Sequence, residues 1–182
     1  MQEKSGVSGK KAEQKKETGY LHVRHGFLPV YDRHSEVLIL GSFPSVKSRE
    51  GQFYYHHPQN RFWQVVSRIL GEKLPKTVEE KKIMLLKNHI AVWDVIESCD
   101  IIGSSDSSIK NVVAADIGRI LKEADIQAVY VNGGKADSLY RKYCEPQTKK
   151  KAVKLPSTSP ANASWSLERL IEAWKVIKES EA

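Results

Sequence analysis

Three short, unbroken apolar runs constrain this chain more than any other feature: Val37-Leu38-Ile39-Leu40, Ile90-Ala91-Val92-Trp93 and Ala128-Val129-Tyr130-Val131. Apolar runs of about four to eight residues without polar alternation fit strands buried on both faces, as in parallel sheets covered by helices. A short final strand is expected over Lys151 to Leu155. Helical spacing intervenes. Phe62, Val65, Val66, Ile69 and Leu70 mark one helix, and Thr77 with Glu80 forms a capping box that opens a second. Val113, Ile117, Ile120 and Leu121 give helical periodicity from Val112 to Ala124, and Leu167, Leu170, Ile171, Trp174 and Ile177 mark a closing helix. Strands alternating with helices predict an α/β fold, a three-layer α/β/α sandwich around a four-stranded, mainly parallel sheet. Ligands of such folds sit beyond the carboxyl ends of the strands.

The remaining composition sets bounds. A chain of 182 residues with 40% hydrophobic side chains suits a single domain with a full core, expected over residues 20–182. Residues 1–19 hold five Lys and three Glu with Val7 as the only branched aliphatic, which predicts a disordered basic tail. The net charge of +7 favours a polyanionic partner. Two cysteines, Cys99 and Cys144, are too few for a four-thiolate cluster and are expected as reduced core thiols. No apolar run reaches the length of a membrane span, so a soluble, cytoplasmic monomer without metal or cofactor is expected.

Chemistry concentrates in loops at strand ends. Gly41-Ser42-Phe43-Pro44-Ser45 follows the first buried strand, and Phe53-Tyr54-Tyr55-His56-His57-Pro58-Gln59-Asn60-Arg61-Phe62-Trp63 follows soon after. Adjacent aromatics beside polar side chains suit a flat, polar ligand such as a nucleobase, stacked on one ring and read at its edge. Packing over one end of the core is the competing use of the same aromatics. Two adjacent histidines without a Cys or carboxylate at ligand spacing do not make a metal site. Lys149, Lys150, Lys151 and Lys154 lead into Pro156-Ser157-Thr158-Ser159, a hydroxyl-rich turn suited to phosphates. Asn132-Gly133-Gly134-Lys135 reads as a tight turn.

The first segment resembles the leading active-site motif of the uracil-DNA glycosylase superfamily: a Gly-x-x-Pro-Gly-like turn followed by His-Pro-x-Asn-x-Phe-Trp. Leu155-Pro156-Ser157-Thr158-Ser159-Pro160-Ala161-Asn162 is similar to the late motif of its hypoxanthine (deoxyinosine) branch. Trp93 to Cys99 and Val131 to Lys135 resemble the same branch, so that the likeness runs from about Val23 to Trp174. It implies a monofunctional glycosylase that flips a deaminated base out of DNA and hydrolyses its N-glycosidic bond. Hypoxanthine is the first choice, with xanthine and uracil as alternatives.

The resemblance also implies roles. Asn60 takes over as principal catalytic residue by holding water. Tyr55 is the stacking aromatic, with Phe43, Phe53 and Tyr54 as further base-binding candidates. Ser45, His57, Lys154, Ser157, Thr158 and Ser159 are expected to contact DNA. Two departures stand out, Phe43 where a mismatch-specific branch keeps a water-holding Asn, and Leu155 where other branches have a polar catalytic group. They leave room for a catalytically silent damaged-DNA-binding module, or for a nucleoside hydrolase-like enzyme on a similar sheet. Asp94, just past a strand, is a second candidate base, and Asn60 could instead cap the helix that follows it.

Overall fold

The computed structural model describes residues 19–179. The expected tail lies outside them except for Gly19. The elements run β1 (Leu21–Arg24), β2 (Val37–Gly41), α1 (Val46–Gly51), α2 (Phe62–Leu70), α3 (Val78–Lys87), β3 (Ile90–Asp94), β4 (Ile96–Ile101), β5 (Lys110–Ala114), α4 (Ile117–Glu123), β6 (Ala128–Asn132), α5 (Gly134–Tyr143), α6 (Glu145–Thr148), β7 (Ala152–Leu155), α7 (Leu167–Trp174) and α8 (Val176–Glu179). Among the described residues no helix is long and apolar enough to cross a membrane.

The unbroken apolar runs form the sheet they predict. Its four strands lie in the order β3-β2-β6-β7 and all are parallel. Leu38, Ile39 and Leu40 on β2 are fully buried, because helices cover both faces and neither can admit a polar residue. Register aligns the carboxyl ends: Gly41 opposite Asp94, Leu40 opposite Val131, and Asn132 opposite Leu155. Polar chemistry therefore begins where the apolar runs stop. An isolated antiparallel bridge between Val30 and Val92 covers the outer edge of β3.

The expected helices α2, α3 and α7 are present. Thr77 and Glu80 form the reciprocal cap of α3, the Thr77 hydroxyl accepting from Glu80 N–H at 3.1 Å. Both cysteines are buried free thiols, and burial pushes each up to about 11.

One expectation fails. Helical periodicity from Val112 to Ala124 is interrupted, because Lys110–Ala114 is strand β5 and the helix begins at Ile117. The β-branched Val112-Val113 pair meets a partner the linear pattern does not reveal: the chain leaves the parallel sheet after Asp94, and β4 pairs antiparallel with both β1 and β5. This three-stranded sheet, order β1-β4-β5, is a second layer that the sequence reading did not foresee.

Ile39, at the centre of β2, tests the core. Ile39→Ala should lower the unfolding free energy by about 2–5 kcal/mol, read as a lower denaturation midpoint with an unchanged slope.

Candidate active site

A cavity of about 350 Å³ opens at the carboxyl edge of the parallel sheet, on the β2, β3 and β6 termini. Its wall includes Phe43, Tyr54, Tyr55, Asn60, Asp94 and Asn132, and Ser45, His57, Ser157 and Ser159 also line it. The two separated sequence motifs thus meet in one place.

Close packing begins at Gly41. A Cβ there would lie 2.4 Å from Asp94 Oδ1 and 3.1 Å from the Tyr55 hydroxyl, so only glycine lets the strand end pass between them. Tyr55 holds a left-handed backbone, φ 52°, which costs a non-glycine residue about 1–3 kcal/mol and persists only where its surroundings fix it. Its ring stacks on Phe62 with centroids 4.0 Å apart and an interplanar angle of 17°. Burial, reinforced by the charge of Asp94, pushes the Tyr55 and Tyr54 phenols well above their ordinary value, so both remain protonated. Tyr54 donates to Leu28 C=O at 2.8 Å; the Tyr55 hydroxyl is buried beside Asp94 and Asn132 without a well-formed hydrogen bond.

A directional relay fixes Asn60. Asn132 Nδ2 donates to Thr158 Oγ1 at 2.9 Å, and Thr158 Oγ1 donates to Asn60 Oδ1 at 2.9 Å. Asn60 Oδ1 also accepts from Phe62 N–H at 2.9 Å, at the entry to α2. Arg61 is the N-cap of α2 and Asn60 precedes it, so the bond to Phe62 N–H anchors the amide in the cavity wall rather than making Asn60 the cap. With its oxygen doubly occupied, Asn60 offers an N–H donor through Nδ2, which no described residue takes. An amide held this way can hold a water or a ligand acceptor only as a donor, through Nδ2.

Asp94 is buried, and His25 Nε2–H donates to its Oδ2 at 2.8 Å, with side-chain exposures of 2% for His25 and 5% for Asp94. His25 comes from just beyond β1, through His25 N–H donating to Glu97 C=O on β4. Sequence reasoning missed His25 because only the unforeseen second sheet brings it there. Arg61 was missed as well. Its guanidinium donates to the carbonyls of Ser159 at 3.2 Å, Asn162 at 3.0 Å and Trp165, which ties the late loop over the cavity. Asn132, read as part of a turn, anchors the relay, while Gly133 does supply the turn at φ 94°.

Other candidates are distributed unevenly. Phe53 is buried, stacks on Trp63 at 5.9 Å and does not line the cavity, so it serves the core rather than a ligand. Thr158 is fully buried with its hydroxyl spent on Asn60, which corrects its expected place among groups presented to DNA. Ser45 caps α1, accepting from Ser48 N–H at 3.2 Å. Lys154 is exposed and lines a second cleft that adjoins the cavity, with Ser157 and Ser159 on the boundary between them.

The profile of the uracil DNA glycosylase superfamily matches residues 28–178. The chain is 37% identical over 158 residues to a hypoxanthine DNA glycosylase of Methanosarcina acetivorans, spanning 85% of this chain and 98% of that relative. It is 36% identical over 116 residues to a hypoxanthine DNA glycosylase of Methanosarcina barkeri, spanning 62% of this chain and 73% of that relative. Among solved structures, an NMR structure of a protein assigned as a uracil DNA glycosylase from Methanosarcina acetivorans superposes with a TM-score of 0.73 at 35% identity. It covers 89% of this chain and 100% of its own.

Thr158→Val keeps the shape but strands Asn132 Nδ2 and removes one donor from Asn60. It should cost about 1–3 kcal/mol in chemical denaturation, and Thr158→Ser should restore most of the loss.

Proposed function

Since the chain belongs to the uracil DNA glycosylase superfamily, we propose that it hydrolyses the N-glycosidic bond of hypoxanthine in DNA, after the deaminated nucleotide flips out of the helix into the cavity beside Tyr55. The observation that carries this reading is the convergence, in one cavity, of a backed aromatic ring, an acceptor carboxylate and a free amide donor. Tyr55, braced by Phe62, stacks on the base, and Phe43 and Tyr54 complete the wall.

Asp94 lets the cavity tell hypoxanthine and uracil from the adenine and cytosine they derive from. Deamination of adenine to hypoxanthine converts the acceptor N1 into an N–H, and deamination of cytosine to uracil does the same at N3. With Oδ2 occupied by His25, the Asp94 carboxylate offers only acceptor capacity to that edge. Adenine and cytosine would turn a lone pair towards it, a repulsion in a buried site. The names of the two relatives favour hypoxanthine over xanthine and uracil.

The chemistry follows from what the leaving group needs. As the C1′–N bond lengthens, the base gathers negative charge and the sugar becomes cationic, so catalysis consists of stabilising both. Asn60 donates through Nδ2 to the departing base, held in place by Thr158 and Asn132. Ser45, His57, Lys154, Ser157 and Ser159 contact the flanking phosphates, and Thr158 acts from behind them as a positioning residue.

Incubation with labelled oligonucleotides carrying one deoxyinosine or one deoxyuridine, followed by hot alkali, tests the proposal. Cleavage at deoxyinosine should fall by about 100- to 1,000-fold in Asn60→Ala, as when one charge-stabilising donor is removed elsewhere. Intact binding without cleavage at either base would replace the enzyme by a silent damage-binding module.

A further inference from the structure

Resting on that reading, we propose that Asp106 is a second catalytic residue, the carboxylate that faces the sugar cation and takes the proton of the attacking water. No sequence motif singles it out. It enters from the loop after β4, at the start of a short 3-10 turn, Asp106–Ser108.

Position carries the argument. The base cavity and the second cleft, with its Lys154, meet along a rim to which both Asp106 and Ser157 belong. A nucleotide with its base in the cavity and its phosphate against Lys154 places its sugar, and therefore C1′, over that rim. Asp106 Oδ1 accepts from Ser42 Oγ at 3.0 Å, which fixes the carboxylate, and no described residue hydrogen-bonds its Oδ2.

Elimination among the lining groups points the same way. Hydrolysis requires an acceptor for the water proton. Asn60 Oδ1 is filled by Phe62 N–H and Thr158 Oγ1. Asp94 is buried behind the base edge and bound to His25. Phe43, in the turn after β2, lines the cavity but has no acceptor at all. Asp106 supplies from a different loop what that turn lacks.

The step balances as follows. The C1′–N bond breaks with its electron pair going to the base, and the Asp106 carboxylate stabilises the oxocarbenium ion left behind. A water oxygen bonds to C1′ and yields a proton to Oδ2, which returns it through solvent to the departed base. Hydroxyl ends on C1′ and hydrogen on the base, with no other reactant.

Asp106 is exposed at the rim, and partial desolvation of its carboxyl raises it above the ordinary range, the Asp94 charge adding to this, while the Ser42 hydrogen bond and Lys135 of α5 oppose it; Cys99 of β4, Lys154 in the cleft and His57 in the cavity are further titratable neighbours. The base form of a carboxyl raised in this way is lost as pH falls through its elevated value. Activity should therefore fall on acidification earlier than an ordinary carboxylate would dictate.

Single-turnover cleavage of a deoxyinosine duplex by Asp106→Asn, which keeps an acceptor for Ser42, is the test. At neutral pH the rate should fall about 100-fold while the Kd for the duplex stays within about twofold, and the acidic limb of the pH profile should disappear. Asp106→Glu should recover part of the rate and restore the limb. An unchanged rate with the limb intact overturns the proposal, as does a loss of rate matched by equal losses of binding and thermal stability. If the wild type is active and Asn60→Ala is not, while Asp106→Asn cleaves normally, this inference alone falls. A wild type inactive on both deaminated bases removes the parent reading and this one with it.

Discussion

The hydroxyl of Thr158 joins parts of the chain that share nothing in sequence. It accepts from Asn132 at the end of β6 and donates to Asn60 at the entry to α2, while its own loop follows β7. The backbone fixes the polarity of the relay: Thr158 N–H donates to Asn132 Oδ1 and Phe62 N–H donates to Asn60 Oδ1, so the hydroxyl accepts from Asn132 Nδ2 and gives its one proton to Asn60. Asn60 must then present its amide nitrogen outwards. Arg61, the next residue, clamps the same loop through three carbonyls, so the chain that supplies the amide also holds down the loop that orients it. Removing one member would leave buried polar groups unpaired, which is costlier than the hydrogen bonds themselves.

A second constraint acts from the opposite wall. The departure of the chain from the parallel sheet after Asp94 builds, through β4, the antiparallel sheet whose first strand delivers His25 to Asp94. Gly41 is bare because Asp94 and Tyr55 crowd against it. The aromatic wall and the buried carboxylate are thus packed against each other by the backbone of β2, and their spacing does not depend on mobile side chains. A cavity preorganised in this way suits a reaction whose barrier is lowered by placing charge in advance.

Most of the fold was legible. Val37–Leu40, Ile90–Trp93 and Ala128–Val131 are strands of one parallel sheet because no other arrangement buries unbroken apolar runs on both faces. Thr77 and Glu80 marked a helix start because their reciprocal cap is local chemistry. The candidate site was legible in part, through the aromatic loop and the Pro-Ser turn. Val112-Val113 was misread because a strand's pairing partner lies elsewhere in the chain, and β4 has too mixed a composition to announce itself.

By itself the sequence determined the layered architecture, the strand ends at which polar chemistry gathers, and the superfamily, since these follow from local periodicity and from motifs contiguous in the chain. Only the tertiary structure decided how the groups are wired. It turned the oxygen of Asn60 inwards, buried Thr158 and Phe53 where contacts with DNA and with the base were expected, and brought His25 behind Asp94 and Asp106 to the cavity from segments without a motif. The physical reason is that hydrogen-bond polarity and burial belong to pairs of residues up to 104 positions apart, and no single position carries that information.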